Sequence, residues 1–166
     1  MWCVALVGNK VEFLTYLLET DGADPGRSLL RSTRYFYTLL PLEFAAYSSS
    51  EANATLLLKH GAIITGTNAL QLAAQHGKFG MVRLLVEAGG DVNGMLDPND
   101  PSTVYFGSRS DARGTILHYA AEGGFKNIVE FLLEHGADPK KLNTFGCTAL
   151  ERGQLKGHYD IVGRIR

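Results

Sequence analysis

Five histidines, His60, His76, His118, His135 and His158, are the side chains of this 166-residue chain best suited to moving protons near neutral pH or holding a metal. Their neighbours separate them. His60 and His135 each precede a glycine that closes an apolar helical run, where a donor or cation suits the carbonyl end of a helix. His158 follows Gly157, and His118 stands three residues after Thr115 at the opening of another run. His76 is different, because with Gln75 it fills a polar pair directly after Ala73-Ala74 and has no evident duty in the helix. It is the candidate general acid or base, or else a contact to a partner. The chain contains no Cys-x-x-Cys and no His-Glu-x-x-His, so neither a metal nor a cofactor is expected. Its glycines recur at helix ends rather than as a phosphate-cradling loop, and no Gly-x-Ser-x-Gly surrounds Ser48 to Ser50.

A second constellation is built of arginine and aromatic residues. Arg27, Arg31, Arg34, Arg109 and Arg113, five of the nine arginines, lie with Tyr35, Phe36, Tyr37, Tyr105 and Phe106 in two stretches, 26–37 and 94–113, that hold no lysine. Arginine offers a planar fork to carboxylates and stacks on rings, and with tyrosine it is enriched in buried recognition patches. The plainer alternative is that these rings pack the loops down and the arginines pair with Asp97, Asp100 and Asp111.

One unit, written out between Gly114 and Asn143, positions all of these groups. Thr115-Ile116-Leu117-His118 opens a short helix carrying Ala120 and Ala121, and Gly124 breaks it. Ile128, Val129, Phe131, Leu132 and Leu133 follow at the spacing of a one-sided apolar stripe, ended by Gly136. Gly124 to Gly157 and Ile116 to Ala149 are each 33 apart, so the next unit keeps register. Upstream, Asn68 to Ala74 with Gly77, then Met81 to Gly89, repeat the pattern. Pro41 to Ala46 with Leu56 to Ala62 repeat it again, and Val4 to Pro25 give a looser copy.

This unit resembles the ankyrin repeat, with its 33-residue period and Thr-Pro-Leu-His-x-Ala opening. The resemblance implies an all-α solenoid of helix-turn-helix units joined by hairpin-like fingers. About five repeats are expected, at 1–25, 38–66, 67–93, 114–143 and 146–166, in a single domain spanning 1–166. Two fingers, 26–37 and 94–113, are enlarged, and the one between Gly61 and Ala69 is short. By the same resemblance, the ring of His118 hydrogen-bonds around Thr115 and braces the turn, and the two residues after each alanine pair face a concave groove. Those slots hold Leu6 and Val7, Tyr47 and Ser48, Gln75 and His76, Glu122 and Gly123, and Leu155 and Lys156.

Composition sets outer limits. A net charge of −1 with 45% hydrophobic residues lacks the basic excess of a nucleic-acid binder and the acidic, aromatic-poor balance of a disordered tail. Apolar runs such as Leu56 to Leu58 are too short to span a bilayer, and no basic segment leads a long apolar one. The expectation is an intracellular protein, cytoplasmic or nuclear, that binds neither nucleic acid nor membrane. Cys3 and Cys147, at opposite ends of a solenoid, are expected to be unpaired thiols. Asn53-Ala54-Thr55 matches a glycosylation sequon inside a helix.

The leading functional expectation is a non-catalytic protein-binding module that holds an acidic or aromatic-bearing segment of a partner. Its contacts would come from Arg31, Arg34, Tyr35, Tyr37, Tyr47, Gln75, His76, Tyr105, Phe106, Arg109, Arg113 and Glu122. The alternating finger lengths suggest a notch walled by the long fingers. The rival expectation is a small-molecule binder or cofactor-independent isomerase or cyclase in that notch, with His76 as acid or base, Tyr47 or Tyr119 as proton donor and Glu122 beside them. A further expectation treats the abrupt start at Met1 and the short final helix as a cap, a truncation or the ends of a fragment that docks onto further repeats.

Overall fold

The computed structural model describes residues 11–20, 22–25, 40–48, 50–95 and 114–163. Its helices are α1 (Val11–Glu19), α2 (Pro41–Ser48), α3 (Glu51–Lys59), α4 (Ala69–Gln75), α5 (Phe79–Glu87), α6 (Ile116–Glu122), α7 (Lys126–Glu134), α8 (Ala149–Leu155) and α9 (Tyr159–Val162). Helices α2, α4, α6 and α8 pack side by side in one row, and α1, α3, α5, α7 and α9 in a second, and each unit after the first pairs one helix from each row. This is the helical solenoid that the 33-residue register implies. None of the described helices is long and apolar enough to cross a membrane.

Small residues let the first row close up. Ala45, Ala46, Ala73, Ala74, Ala120 and Ala121 are all fully buried, and the apolar stripes of the second row, Leu57, Met81, Val82, Leu85, Ile128, Val129 and Leu132, lie at 0–1% exposure against them. Each such aliphatic side chain contributes about 1.5–3 kcal/mol on leaving water. In the last unit Gly153 replaces the first alanine of the pair. A Cβ there would stand 3.4 Å from the Ala121 carbonyl oxygen, an ordinary contact distance, so an alanine would also fit between α8 and α6.

Glycine punctuation works as a repeated hydrogen-bond motif. At the end of α7, Gly136 N–H donates to the Leu133 carbonyl and Ala137 N–H to the Leu132 carbonyl, and the same pair of bonds recurs at Gly61-Ala62, Gly77-Lys78, Gly89-Gly90, Gly124-Phe125 and Gly157-His158. This double closure needs a left-handed residue at its centre, which Gly77 supplies at φ +66° and Gly124 at φ +74°. Each of these two glycines also lies under a ring of the following unit. A Cβ on Gly77 would meet Phe125 Cε1 at 2.5 Å, and one on Gly124 would meet His158 Nδ1 at 2.7 Å.

The sequon asparagine is fully buried, out of reach of a glycosylating enzyme in the folded protein. Asn53 stands in α3 where Met81 and Ile128 stand in α5 and α7, and both its amide nitrogen and its carbonyl oxygen lack a hydrogen-bond partner. Leaving a buried polar group unsatisfied costs about 1–3 kcal/mol. Asn53→Val, close in volume and apolar like its register mates, is therefore expected to stabilise the protein by about 1 kcal/mol. A rise in urea midpoint at unchanged slope would show it.

Candidate functional site

The exposed edge of the first row forms the candidate groove. Tyr47, at the end of α2, is 48% exposed and meets His76, just past α4, edge to face at 5.5 Å between ring centroids and 82° between planes. His76 is exposed and Gln75 half-buried beside it. These three are the groove residues that the structure brings together. Tyr119 goes elsewhere: it is 8% exposed and belongs to the hydrophobic core, because its column of the register, shared with Leu72 and Phe44, faces the neighbouring helices. Glu122 reaches the surface but is engaged, with Oε2 2.6 Å from Arg152 Nη2 and Oε1 3.3 Å from Lys156 Nζ. Arg31, Arg34, Tyr35, Tyr37, Tyr105, Phe106, Arg109 and Arg113, the walls of the expected notch, lie outside the described residues.

The other four histidines do structural work. His60 and His135 cap α3 and α7, and the His135 ring lies 4.0 Å from that of Phe131 while its Nδ1 donates to the Phe131 carbonyl at 2.8 Å. His158 leads into α9 with its ring over Gly124. His118, 3% exposed, bridges two units. Its Nδ1 accepts from Thr115 N–H at 3.1 Å and Thr115 Oγ1 lies at 2.9 Å, while Nε2 donates to the Cys147 carbonyl at 3.0 Å. Accepting at Nδ1 fixes the neutral Nε2–H tautomer. Burial, the largest cause, holds its pKa below the ordinary histidine value. The bond to Cys147 acts against that, and the Arg152 charge adds to it.

The same register position carries Glu43 in the second unit. Its carboxylate accepts from Leu40 N–H in its own unit at 3.0 Å and from Asn68 N–H in the next at 2.8 Å. Glu151 closes only its own turn, accepting from Thr148 N–H at 2.6 Å and from Thr148 Oγ1 at 2.9 Å, and these bonds hold its carboxyl below the usual range. Gln71, at that position in the third unit, keeps a buried side-chain oxygen without a partner.

Finger bases are tied in another way. The Asn93 side chain donates to the Gly136 carbonyl and accepts from Asp138 N–H, both at 2.8 Å, and its own carbonyl takes the Lys141 ammonium at 2.8 Å. Met95 and Leu142 occupy matching positions on these two fingers and are 39% and 52% exposed, with Phe145 at 60%. Met95, Leu142, Phe145 and Arg152 were not among the expected contacts. Extending the 33-residue register by one column would have put Arg152 in line with Tyr119. Cys147 is a half-exposed unpaired thiol, and Cys3 lies outside the described residues. Among the described residues, no group of three His, Cys, Asp or Glu is placed to share a metal ion.

A family model of ankyrin repeats in three copies matches residues 1–95 and 97–165. The chain belongs to the ankyrin-repeat family. Over 101 residues this ankyrin protein is 36% identical to the putative E3 ubiquitin-protein ligase XBAT35 of Arabidopsis thaliana, covering 60% of the present chain and 19% of that protein. It is 29% identical over 134 residues to the palmitoyltransferase AKR1 of Lachancea kluyveri, covering 80% and 16% respectively. Over 130 residues it is 29% identical to a transient receptor potential cation channel subfamily A member 1 homolog of Caenorhabditis elegans, covering 75% and 10%. The chain thus spans under a fifth of the length of these three relatives, whose names carry three different activities. Ankyrin repeats are in general protein-interaction modules, and their curved stacks present extended binding surfaces.

Proposed function

We propose that this chain is a non-catalytic recognition module, working inside the cell, that holds a segment of a partner protein along its concave groove. The observation that carries the reading is the Tyr47–His76 pair, two rings set edge to face and open to solvent on helices whose opposite sides are fully buried. Such a surface is already in place before a partner arrives, so little side-chain entropy is lost on binding. Exposed aromatic residues on a rigid support are the residues on which interface energy concentrates. Gln75 adds an amide beside them. In this reading Arg31, Arg34, Tyr35, Tyr37, Tyr105, Phe106, Arg109 and Arg113 of the long fingers extend the contact, on the strength of their composition.

The test is affinity capture from native extract with the wild type and a Tyr47→Ala/His76→Ala variant, read by mass spectrometry. Removing hot-spot rings costs about 2 kcal/mol or more, so partner retention is expected to fall at least about tenfold. Both side chains are exposed, so the far-UV signal and melting temperature are expected to stay within the usual range for surface changes. An identical set of proteins held by both forms would refute the groove as the binding surface.

A further inference from the structure

The groove changes character along its length. At the second and third units it offers the Tyr47 and His76 rings. At the fourth and fifth it offers charge, one carboxylate, Glu122, against two cations, Arg152 and Lys156, with the 71% exposed Leu155 beside Lys156. Arg152 is largely buried in its bond to Glu122, with its side chain 13% exposed, whereas Lys156 is 50% exposed at the longer distance. The local surplus of one positive charge is therefore presented to solvent on the Lys156 ammonium. Between the two ends, the slot that holds His76 in the third unit and Lys156 in the fifth holds Gly123 in the fourth, where the Phe125 ring occupies the space a Cβ would take.

From this polarity we infer that the groove takes an extended peptide segment with two anchors: an aromatic or large apolar side chain against Tyr47 and His76, and a carboxylate against Lys156. The inference rests on the recognition reading above and names the partner's chemistry. The spacing of the anchors follows from the stack. Helices α2, α4, α6 and α8 lie in one row, and packed helices stand about 8–10 Å apart, so from midway between α2 and α4 to α8 is about 20–25 Å. An extended chain covers about 3.3 Å per residue, which separates the two anchors by about six to eight residues. A segment with a lysine or arginine at the second anchor meets the surplus positive charge and is disfavoured.

The inference is tested by selecting a displayed library of random dodecapeptides on three forms of the protein: wild type, Lys156→Glu, and Tyr47→Ala/His76→Ala. On the wild type, enriched peptides are expected to pair an aromatic or large apolar residue with Asp or Glu six to eight positions away. On Lys156→Glu the acidic preference is expected to vanish or invert to Lys and Arg while the aromatic preference persists. On the double variant the aromatic preference is expected to vanish. An acidic preference that survives Lys156→Glu, or anchors with no fixed separation, overturns the inference while the captured-partner experiment can still uphold recognition. Enrichment of no peptide also overturns it, since the groove then does not read linear segments. Loss of the Tyr47→Ala/His76→Ala effect in both experiments would remove the recognition reading itself.

Discussion

Gly77→Ala is expected to destabilise the protein by about 2–5 kcal/mol, although it adds a single methyl group at the end of a helix. Two effects combine. The residue holds φ +66°, where an L-residue is strained by about 1–2 kcal/mol, and the new Cβ would lie 2.5 Å from Phe125 Cε1 of the next unit. Relieving that overlap means moving a ring packed against the hydrophobic core, and overpacking of this kind costs about 1–3 kcal/mol. The melting temperature is expected to fall by roughly 5–15 °C. Gly61→Ala separates the terms, because Gly61 has φ +89° and nothing within 4 Å of a Cβ. It is expected to cost about 1–2 kcal/mol, the backbone share alone. Adding Phe125→Leu to Gly77→Ala should recover part of the loss. Equal losses at Gly77 and Gly61 would mean that the ring yields freely.

The second large effect is expected at His118. Replacing it with alanine strands the buried Thr115 N–H and removes a donor from the Cys147 carbonyl, for a loss of about 2–6 kcal/mol at about 1–3 kcal/mol for each group left unsatisfied. His118→Gln is the informative companion. The fold already holds Gln71 at this register position, and a glutamine can accept from Thr115 with its oxygen and donate to Cys147 with its nitrogen.

The pH dependence follows from the direction of the shift. The folded-state pKa is lowered below the ordinary value of 6.5, so as pH falls past that value the unfolded chain takes up a proton that the folded chain still refuses. The stabilisation from neutral His118 is complete above that value and declines as pH falls toward the folded-state pKa, where the decline ends. Urea midpoints measured from pH 7.5 to pH 5 should fall for the wild type and fall less for His118→Gln. Parallel curves for the two proteins would show that His118 is not the group responsible.

Much of this framework was legible in the sequence because it depends on groups that have few substitutes. Only glycine closes a helix with a left-handed residue without strain, so the glycines marked where each helix ends. Only small residues let the first row pack, so the alanine pairs marked the buried face. The bracing role of His118 was implied by the resemblance of the stretch from Thr115 to His118 to the opening of the ankyrin repeat. What stayed hidden are choices made between side chains far apart in the chain. Glu43 caps the unit that begins at Asn68, 25 residues on, and Arg152 reaches back 30 residues to Glu122. The register puts these residues near one another but does not say which of several polar neighbours will pair. Tyr119 was misjudged for a related reason: the exposed strip of a seven-residue helix is only about two columns wide, and residue 119 falls just inside its edge. Asn53 was legible as a residue in a helix. Its burial follows from the column it shares with Met81 and Ile128, where a polar side chain must go inward with the rest.

The three bonds made by Asn93 have a mechanical meaning. They tie Asn93 to the backbone of the next unit, so the neighbouring Met95 and Leu142 cannot be displaced independently without breaking a side-chain clamp. A push on Met95 or Leu142 is thereby shared between the third and fourth units, which respond at this point as one lever rather than as separate springs.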